Sequence, residues 1–352
     1  MTYLLRVNLD IQTTKVQNNL RFIKTVEAIK SVAKPRRKVV VLAHRGRPRG
    51  KDKNLSLKPF VKPLEESLKT KVIFISHFDF KKIKDLIGSS PQGSIFLLEN
   101  VRFMPGETRG NLTLAKKLAA LGDRYVNDDF PTSHHPGVSN AVLAKFLPSS
   151  LGINFKAELK QLDKVMKLPR KPFVLIIGGA KTDDKLGVIK NLISKVDVVL
   201  LGGGPANTLL KARGVKIGKS LHDANIIKEL GPLSQNQKLI TPVDWRVKNN
   251  AILDIGQGTE GLYKDLVSSA NTIVWNGPMG KFEDKDFSGG TNALCRAILA
   301  NKRANIVIGG GDTLAAITLP KKLPKNIFIS TGGGAMLTYL SGGKLPVLEA
   351  IK

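Results

Sequence analysis

The sequence predicts an α/β fold with two mainly parallel sheets. The 352-residue chain exceeds the size at which one hydrophobic core usually stops growing, so we expect two domains. Short apolar runs also alternate with segments of helical spacing, which is typical of βαβ units, and the runs are too numerous for one sheet. The runs are Tyr3–Val7, Lys38–Ala43, Val72–Ser76, Ser94–Leu98, Arg124–Asn127, Phe173–Ile177, Val196–Leu201, Leu239–Pro242, Thr272–Trp275, Asn305–Ile308 and Asn326–Ser330.

The composition is ordinary for a globular protein, with 42% hydrophobic and 24% charged residues. No apolar run approaches the roughly 18 residues of a membrane span, and Met1–Asp10 lacks the apolar centre of a signal peptide. The single cysteine, Cys295, excludes an intramolecular disulfide and fits a reducing compartment. We therefore expect a cytoplasmic protein with no membrane association.

The charge is unusual, because 56 Lys and Arg against 28 Asp and Glu give a formal net charge of +28. Such a field attracts anions, either nucleic acid or small phosphorylated metabolites. The basic residues are spread along the chain, however, and are not interleaved with aromatic residues that would stack single-stranded bases. The pattern favours a solvated basic surface over a specific nucleic-acid site.

The stretch Val174–Lys185 carries the clearest single signal. An apolar run ends on Gly178 and Gly179, which predicts a buried strand followed by a tight turn. If a helix begins near Thr182, Lys181 and Lys185 lie close to one face at its N-terminus. Ammonium groups, glycine backbone and the positive end of a helix suit a phosphate group. A plain strand-to-helix connection with two solvated lysines is the alternative.

Polar and basic residues follow the runs of the first half. They are Asn8 and Asp10, then His44–Pro48, then Glu99–Phe103, then Asn127–Phe130 with His134 and His135. Because parallel strands present their carboxyl ends at one edge of a sheet, these groups should gather there. Arginine, histidine and amide groups together favour a site for a small polyanion.

Glycines follow the runs of the second half. The glycine-rich segments are Gly178–Lys181, Gly202–Gly204, Asn276–Pro278, Gly309–Thr313 and Ser330–Gly334. Glycine lets the backbone approach a ligand closely and exposes N–H donors, which suits a nucleotide. Asp312, at a predicted helix start, could bind Mg²⁺ through its carboxylate or could simply be an N-cap.

Two further patterns carry little weight. Gly214–Ser220 resembles a phosphate-binding loop but has one residue too few between its glycines. Gly256–Gly261 satisfies G-x-G-x-x-G after the run Ala251–Ile255, which would suit a nicotinamide dehydrogenase. That interpretation requires an acidic residue after the next strand, where this chain has Asn276.

Taken together, the motifs resemble phosphoglycerate kinase along nearly the whole chain. They are HRGRP (44–48), LENVRF (98–103), GGAKTDDKLGVIKNL (178–192), LGGGPANTLLKARG (201–214), VWNGPMGKFE (274–283), GGGDT (309–313) and STGGGA (330–335). The resemblance implies Mg²⁺-dependent, reversible phosphoryl transfer from 1,3-bisphosphoglycerate to ADP, giving 3-phosphoglycerate and ATP. It implies two doubly wound α/β lobes with mainly parallel sheets facing a central cleft, and a monomer.

The resemblance also implies domain roles. Residues 1–152 would form a phosphoglycerate-binding lobe, joined by the C-terminal segment 340–352, and residues 169–339 a nucleotide-binding lobe. Independently, Pro148–Gly152 marks a boundary, and Phe155–Leu168 has helical spacing without a breaker. Residues 153–168 would then be a connecting helix.

Residue roles follow from the same resemblance. Catalytic roles fall to Arg21, Lys185, Gly310 and Gly333. Phosphoglycerate-binding roles fall to Asn8, Asp10, Arg21, His44, Arg47, Arg102, His134 and His135. Nucleotide-binding roles fall to Gly179, Lys181, Lys185, Gly203, Asn276, Glu283, Gly309, Gly310, Gly311, Asp312 and Thr313, with Asp312 also serving Mg²⁺. Phosphoryl transfer depends mostly on positioning and charge neutralisation, which these groups supply.

The departures from the family pattern lie mainly on the acid-binding side. The family has Arg-Val-Asp-Phe-Asn-Val-Pro where this chain has Arg6–Gln12, so that Asn8 and Asp10 exchange amide and acid. The family's Asn-Asp-Ala-Phe-Gly is here Asn127–Pro131, and a family arginine is His135. A divergent relative with weakened activity or a changed acceptor is therefore one alternative, and a basic nucleic-acid-binding protein is another.

Overall fold

The computed structural model describes residues 1–11 and 16–351. Gln12, the last residue of the divergent opening segment, and Lys352, the end of the predicted C-terminal segment, lie outside the described residues. The chain divides into two compact units. Unit 1 comprises Met1–Leu159 and Lys344–Lys352, and unit 2 comprises Lys160–Gly343.

Unit 1 is built on a six-stranded parallel sheet in the order β3-β4-β2-β1-β5-β6. Its strands are β1 Thr2–Arg6, β2 Lys38–Leu42, β3 Val72–Ile75, β4 Ile95–Leu98, β5 Arg124–Asn127 and β6 Ser149–Leu151. In register, Leu4 of β1 lies between Val40 of β2 and Tyr125 of β5. The central strand β2 is buried along its whole length, as expected for a parallel strand covered on both faces.

The helices of unit 1 bury apolar faces against this sheet. They are α1 Leu20–Val32, α2 Val61–Leu68, α3 Phe80–Ser89 and α4 Leu112–Ala119, and α5 Ile153–Lys167 begins here and ends in unit 2. In α1, Phe22, Val26 and Ile29 join Val39 and Val41 in one hydrophobic core. The spacing of four and three residues puts these side chains on a single face.

The C-terminal segment also belongs to unit 1. The short helix α13, Pro346–Ala350, contacts the 3-10 turn Val142–Lys145. Leu345 and Val347 are buried, and the Val347 amide donates to the Ser133 carbonyl at 3.4 Å.

Unit 2 contains a second six-stranded parallel sheet, in the order β14-β13-β12-β7-β8-β9. Its strands are β7 Phe173–Ile177, β8 Val198–Leu201, β9 Leu239–Ile240, β12 Thr272–Asn276, β13 Asn305–Gly309 and β14 Ile327–Ser330; β10 Trp245–Lys248 and β11 Ala251–Ile255 form an antiparallel pair. Its helices are α6 Asp183–Leu192, α7 Gly203–Ala212, α8 Ala224–Leu230, α9 Gln257–Ser269, α10 Gly289–Ala300, α11 Gly311–Ala316 and α12 Gly333–Leu340.

The predicted α/β class with two mainly parallel sheets is confirmed. The sequence did not predict β6 or the pairing of β10 with β11. Strand β6 has only three residues, Ser-Ser-Leu, and therefore carries no hydrophobic alternation. Among the described residues, no helix is long and apolar enough to cross a membrane.

Candidate functional site

The first candidate site lies at the carboxyl ends of four neighbouring strands of unit 1. Asn8 follows β1, His44 follows β2, Arg102 follows β4 and Asp129 follows β5. These strands are adjacent in the order β4-β2-β1-β5, so the polar groups that follow them meet at one edge of the sheet.

A pocket of about 300 Å³ opens at this edge. It is lined by Arg6, Pro48, Glu107, Thr108, Pro136, Gly137 and Asn140 together with the predicted residues Arg47, Arg102 and His135. Arg102 is held by a hydrogen bond from Nη1 to the Gly46 carbonyl at 2.6 Å. Arg47 and Arg102, together with the buried Arg6, supply guanidinium groups on one small pocket, which suits a phosphate or carboxylate.

Arg6 is a site residue that the motifs did not predict, although the sequence carries a signal for it. It is a charged residue inside the apolar run of β1, and its side chain is only 3% exposed. Buried charge is costly unless it is paired, so an arginine in a central strand indicates a partner or a ligand. Here Arg6 forms an ion pair with Asp129 at 2.9 Å.

A second group of predicted residues is joined by hydrogen bonds beside this pocket. Asp10 accepts a hydrogen bond from the Gly46 amide at 2.8 Å, and its own amide donates to Asn8 Oδ1 at 3.1 Å. Arg21, in the first turn of α1, donates through Nη1 to the Asp10 carbonyl at 2.7 Å. His44 Nε2 lies 3.9 Å from Asp10 Oδ2.

The two histidines differ in position. Their ring centroids lie 3.9 Å apart with the ring planes tilted by 40°. His135 lines the pocket, whereas His134 is not among its lining residues. Burial, followed by the charges of Arg102 and Arg47, lowers the pKa of His135, and Asp129 opposes this only weakly. His135 is therefore largely neutral at neutral pH, unlike the arginine of the family pattern.

The second candidate site is a pocket of about 480 Å³ in unit 2. Four predicted residues line it, namely Gly179, Gly203, Glu283 and Asp312. The rest of the lining is Ala180, Gly204, Asn207, Leu221, Ile252, Leu253, Pro278, Gly280, Lys281 and Phe282. Glycine backbone on one side and apolar side chains on another are typical of a site for a flat heterocycle bearing phosphates. The apolar part was not predicted, because Leu221, Ile252 and Leu253 lie outside any motif.

Close backbone packing explains two of the predicted glycines. Gly179 has φ +83° and Gly203 has φ +54°, in the left-handed region that favours glycine. A Cβ on Gly203 would lie 2.6 Å from the Gly179 carbonyl oxygen. The turn after β7 and the start of α7 therefore touch through bare backbone.

Lys185 and Lys181 are placed differently from each other. Helix α6 begins at Asp183 with Thr182 at its N-cap, so Lys185 lies in its first turn and Lys181 directly precedes the cap. Lys181 is exposed, whereas Lys185 is buried and donates to the Gly178 carbonyl. Burial lowers the pKa of Lys185 to about 8, although Asp312 and the two aspartates of the first turn raise it.

The side chains of Asn276 and Thr313 form hydrogen bonds within the protein. Asn276 Nδ2 donates to the Gly309 carbonyl at 3.1 Å, and the Thr313 hydroxyl accepts from the Gly277 amide at 2.7 Å. These bonds join the end of β12 and the residue after it to the end of β13 and the first turn of α11. Gly310 has φ +103°, and a Cβ on Gly333 would lie 2.9 Å from the Gly310 Cα. Gly309, Gly310 and Gly333 therefore let the starts of α11 and α12 approach closely, whereas a Cβ on Gly311 would meet nothing within 4 Å.

Asp312 is the residue predicted to bind Mg²⁺. Among residues 1–11 and 16–351, no group of three or more His, Cys, Asp or Glu side chains could hold a metal ion. Asp312 nevertheless lines the unit 2 pocket and lies near enough to Lys185 to influence its pKa. Mg²⁺ commonly binds through one or two carboxylates and the phosphates of its substrate. A single Asp312 carboxylate therefore fits an ion that arrives with a nucleotide.

The backbone amides of the G-x-G-x-x-G segment are hydrogen-bonded to another part of the protein. Strand β11 pairs only with β10 among the named strands, so it is not part of the parallel sheet. At the start of α9, the amides of Gly258 and Thr259 donate to the Asp244 carboxylate at 2.9 and 2.7 Å. That carboxylate fills the position at which a dinucleotide phosphate would accept these bonds.

Comparison with known proteins gives a consistent result. The family model described as phosphoglycerate kinase matches residues 2–343. The phosphoglycerate kinase of Pseudothermotoga lettingae is 38% identical over 363 residues, covering 96% of this chain and 91% of the relative. That of Pelotomaculum thermopropionicum is 36% identical over 375 residues, covering 99% and 95%.

Solved structures show the same likeness. The phosphoglycerate kinase of Coxiella burnetii superposes with a TM-score of 0.84 at 34% identity, covering 99% of this chain and 95% of that one. The phosphoglycerate kinase of Pyrococcus horikoshii OT3 gives a TM-score of 0.84 at 29% identity, with the same coverage.

Proposed function

The chain belongs to the phosphoglycerate kinase family, and from that premise we propose how its residues divide the reaction. The family's enzymes are kinases that transfer a phosphoryl group reversibly between 1,3-bisphosphoglycerate and ADP, giving 3-phosphoglycerate and ATP, with Mg²⁺. Unit 1 would bind the phosphorylated acid and unit 2 the nucleotide. The α5 segment Ile153–Lys167 would connect them.

The observation that carries this division is the pocket with three arginines in unit 1. Arg6, Arg47 and Arg102 line about 300 Å³, a volume suited to a small phosphorylated acid. Arg47 and Arg102 would hold the acid's anionic groups through bidentate hydrogen bonds. Asn8, Asp10, His44, His134 and His135 would surround the rest of the molecule.

The unit 2 pocket would hold the nucleotide. Its apolar side, with Leu221, Ile252 and Phe282, suits the base, and Glu283 would bind the ribose hydroxyls. The backbone around Gly179 and Gly203, with Lys181, would contact the phosphates, while Asn276 and Thr313 would maintain the loops. Asp312 would bind Mg²⁺, which neutralises phosphate charge and orients the phosphates.

Arg21 and Lys185 would stabilise the phosphoryl group during transfer. This reaction needs charge neutralisation more than covalent chemistry, because negative charge spreads over the oxygens of the moving group. Backbone amides near Gly310, Gly311 and Gly333 would add neutral donors. Gly309 permits their approach, since a Cβ there would lie 2.5 Å from Met336 Sδ.

A coupled assay of ATP-dependent 1,3-bisphosphoglycerate formation tests the proposal directly. Saturable turnover with 3-phosphoglycerate is expected, and its absence would leave the alternative of a changed acceptor. Arg21→Met and Lys185→Met should each lower kcat by roughly 100-fold, equivalent to about 2.7 kcal/mol of transition-state stabilisation. Lys228→Met, on the last turn of α8, is a matched control that should leave kcat unchanged.

We also propose that the enzyme is a cytoplasmic monomer. A single buried cysteine, Cys295, is compatible with a reducing compartment. Sedimentation velocity over a range of concentrations tests the monomer, which would be refuted by a mass near twice 38.3 kDa.

A further inference from the structure

We propose that Asp129 is a positioning residue of the acid site, which anchors Arg6 so that Arg6 fixes the tautomer of His44. The inference rests on the proposed function only in taking the unit 1 pocket as the site of the phosphorylated acid. Nothing in the family resemblance predicts a carboxylate here, because the family pattern has alanine where this chain has Asp129.

The Asp129 carboxylate is fully buried and receives polar contacts on both oxygens. Oδ1 accepts a hydrogen bond from Asn8 Nδ2 at 2.8 Å. Oδ2 accepts from the Thr132 hydroxyl at 2.6 Å and lies 2.9 Å from Arg6 Nη1. A charged group without solvent is tolerated only when it is paired and hydrogen-bonded in this way.

Arg6 contacts both Asp129 and His44, so the position in which Asp129 holds its guanidinium group also fixes its contact with His44. While Nη1 faces Asp129, Nη2 lies 2.8 Å from His44 Nδ1, and Nε donates to the Ser139 hydroxyl at 3.0 Å. A guanidinium has donors but no acceptor, so His44 Nδ1 must be the acceptor of this bond. The ring proton of neutral His44 is therefore on Nε2.

His44 is held neutral by the same surroundings. Burial lowers its pKa well below the usual value, and the charges of Arg6, Arg102, Arg21 and His135 act in the same direction. Its Nε2–H faces Asp10 Oδ2 at 3.9 Å, which is beyond hydrogen-bond length. His44 is 1% exposed and is not among the residues that line the pocket, so its tautomer acts on the site through Arg6, which does line it. With the proton on Nε2, Nδ1 accepts from Arg6 and helps to hold the guanidinium in place. The alternative tautomer would place a proton on Nδ1 and break that bond.

The Asn8–Asp129 contact suggests a sharp test. One member is an amide and the other a carboxylate, joined at 2.8 Å, and the pair holds one negative charge beside Arg6. Exchanging the two in the double variant N8D/D129N keeps that charge and one amide within the same pair. The single variants either remove the charge or place two carboxylates in contact, which is unfavourable in a buried site.

The experiment compares wild type, Asp129→Asn, Asn8→Asp and the double variant. Residues in one hydrogen-bond network typically couple strongly, so Asp129→Asn should raise KM for 3-phosphoglycerate roughly tenfold. KM for ATP, which reports the unit 2 pocket, should stay within about twofold, and the double variant should recover most of the loss. Thermal unfolding of all four proteins shows which substitutions merely lower stability.

The His44 tautomer is read independently from the ring ¹⁵N chemical shifts. Wild type and the double variant should show the Nε2–H form, and Asp129→Asn should lose it as the dominant form. If Asp129→Asn does not fold, Arg6→Lys replaces it, since lysine keeps the charge but cannot donate in two fixed directions. An unchanged tautomer and unchanged KM in the variant would overturn the inference. Absence of kinase activity in wild type would instead refute the proposed function, and the shifts would still test Asp129.

Discussion

At the scale of single residues, burial sets the charge of the groups around both pockets. His44 and His135 both have a lowered pKa because they are desolvated and face arginines. Burial also lowers the pKa of Lys185, but nearby aspartates limit the shift. The positive charge of the acid pocket therefore comes from arginines, while the charge on Lys185 depends on pH within the range of ordinary assays.

His135→Arg should lower KM for 3-phosphoglycerate, because a permanent charge replaces a neutral ring on the pocket wall. Since the pKa of His135 lies below 6.5, the wild-type ring is neutral from pH 8 down to its lowered pKa. The gain should thus be similar at pH 8 and pH 7 and shrink only under more acidic conditions. The ratio of variant to wild-type KM from pH 5 to 8 measures this. Comparing the two enzymes at each pH cancels titration of the substrate phosphate, and a KM that the substitution leaves unchanged at every pH would show that His135 does not face the ligand.

Lys185 should impose an alkaline limit on nucleotide use. With a pKa of about 8, the ammonium group loses its proton as pH rises through that value, and its attraction for phosphate is lost. Because kcat/KM reports groups of the free enzyme, kcat/KM for ATP should fall above about pH 8. The measurement is the profile of kcat/KM from pH 6 to 9.5. In the control Lys185→Arg, the alkaline decline should move above pH 9.5, because arginine stays protonated. A flat wild-type profile to pH 9.5 would contradict the assignment.

At the scale of elements, Gly203 at the start of α7 and Gly261 inside α9 differ in whether the backbone requires glycine. Gly203→Ala should lower the free energy of unfolding by about 1–3 kcal/mol, because the backbone is left-handed there. It should also raise KM for ATP, since the added Cβ would meet the Gly179 carbonyl. Urea unfolding and steady-state kinetics are the measurements.

Gly261→Ala is the matched control on α9. Gly261 lies in the helix interior, and a Cβ there meets nothing within 4 Å. This change should raise the free energy of unfolding by about 0.5–1 kcal/mol and leave KM for ATP unchanged, because alanine orders the helix at less entropic cost. Equal destabilisation by both substitutions would mean that local strain at Gly203 is not the cause.

How far the sequence predicts the molecule depends on whether a feature is local. The strand runs and the start of α6 near Thr182 follow from short-range patterns, and they are confirmed. The glycines that line the unit 2 pocket could be named because they follow strands. Leu221 and Ile252 could not, since they reach that pocket only through long-range packing. Asp129 stood among the predicted strand-end residues, but its ion pair with Arg6 joins positions 123 residues apart (129 − 6).

At the scale of the whole molecule, the net charge of +28 is the property still to be connected to function. Basic side chains are spread over both units, so the field should attract an anionic substrate before specific contacts form. Screening acts on such a field over about 10 Å at 0.1 M salt and much less on buried contacts. Salt should therefore lower the rate at which the substrate encounters the enzyme and should leave the rate of the chemical step unchanged.

We predict that kcat/KM for 3-phosphoglycerate falls as KCl rises from low concentration to 0.5 M, while kcat changes less. Replacing Lys81, Lys82 and Lys84 by Gln, all exposed on α3, lowers the net charge from +28 to +25 and should make the dependence on salt shallower. Sucrose is the neutral control, because it alters hydration and viscosity without screening charge. A kcat/KM that is independent of salt would remove substrate attraction as a role for the charge. An equal fall in kcat would place the effect of salt on the transfer step, where Arg21 and Lys185 are proposed to act.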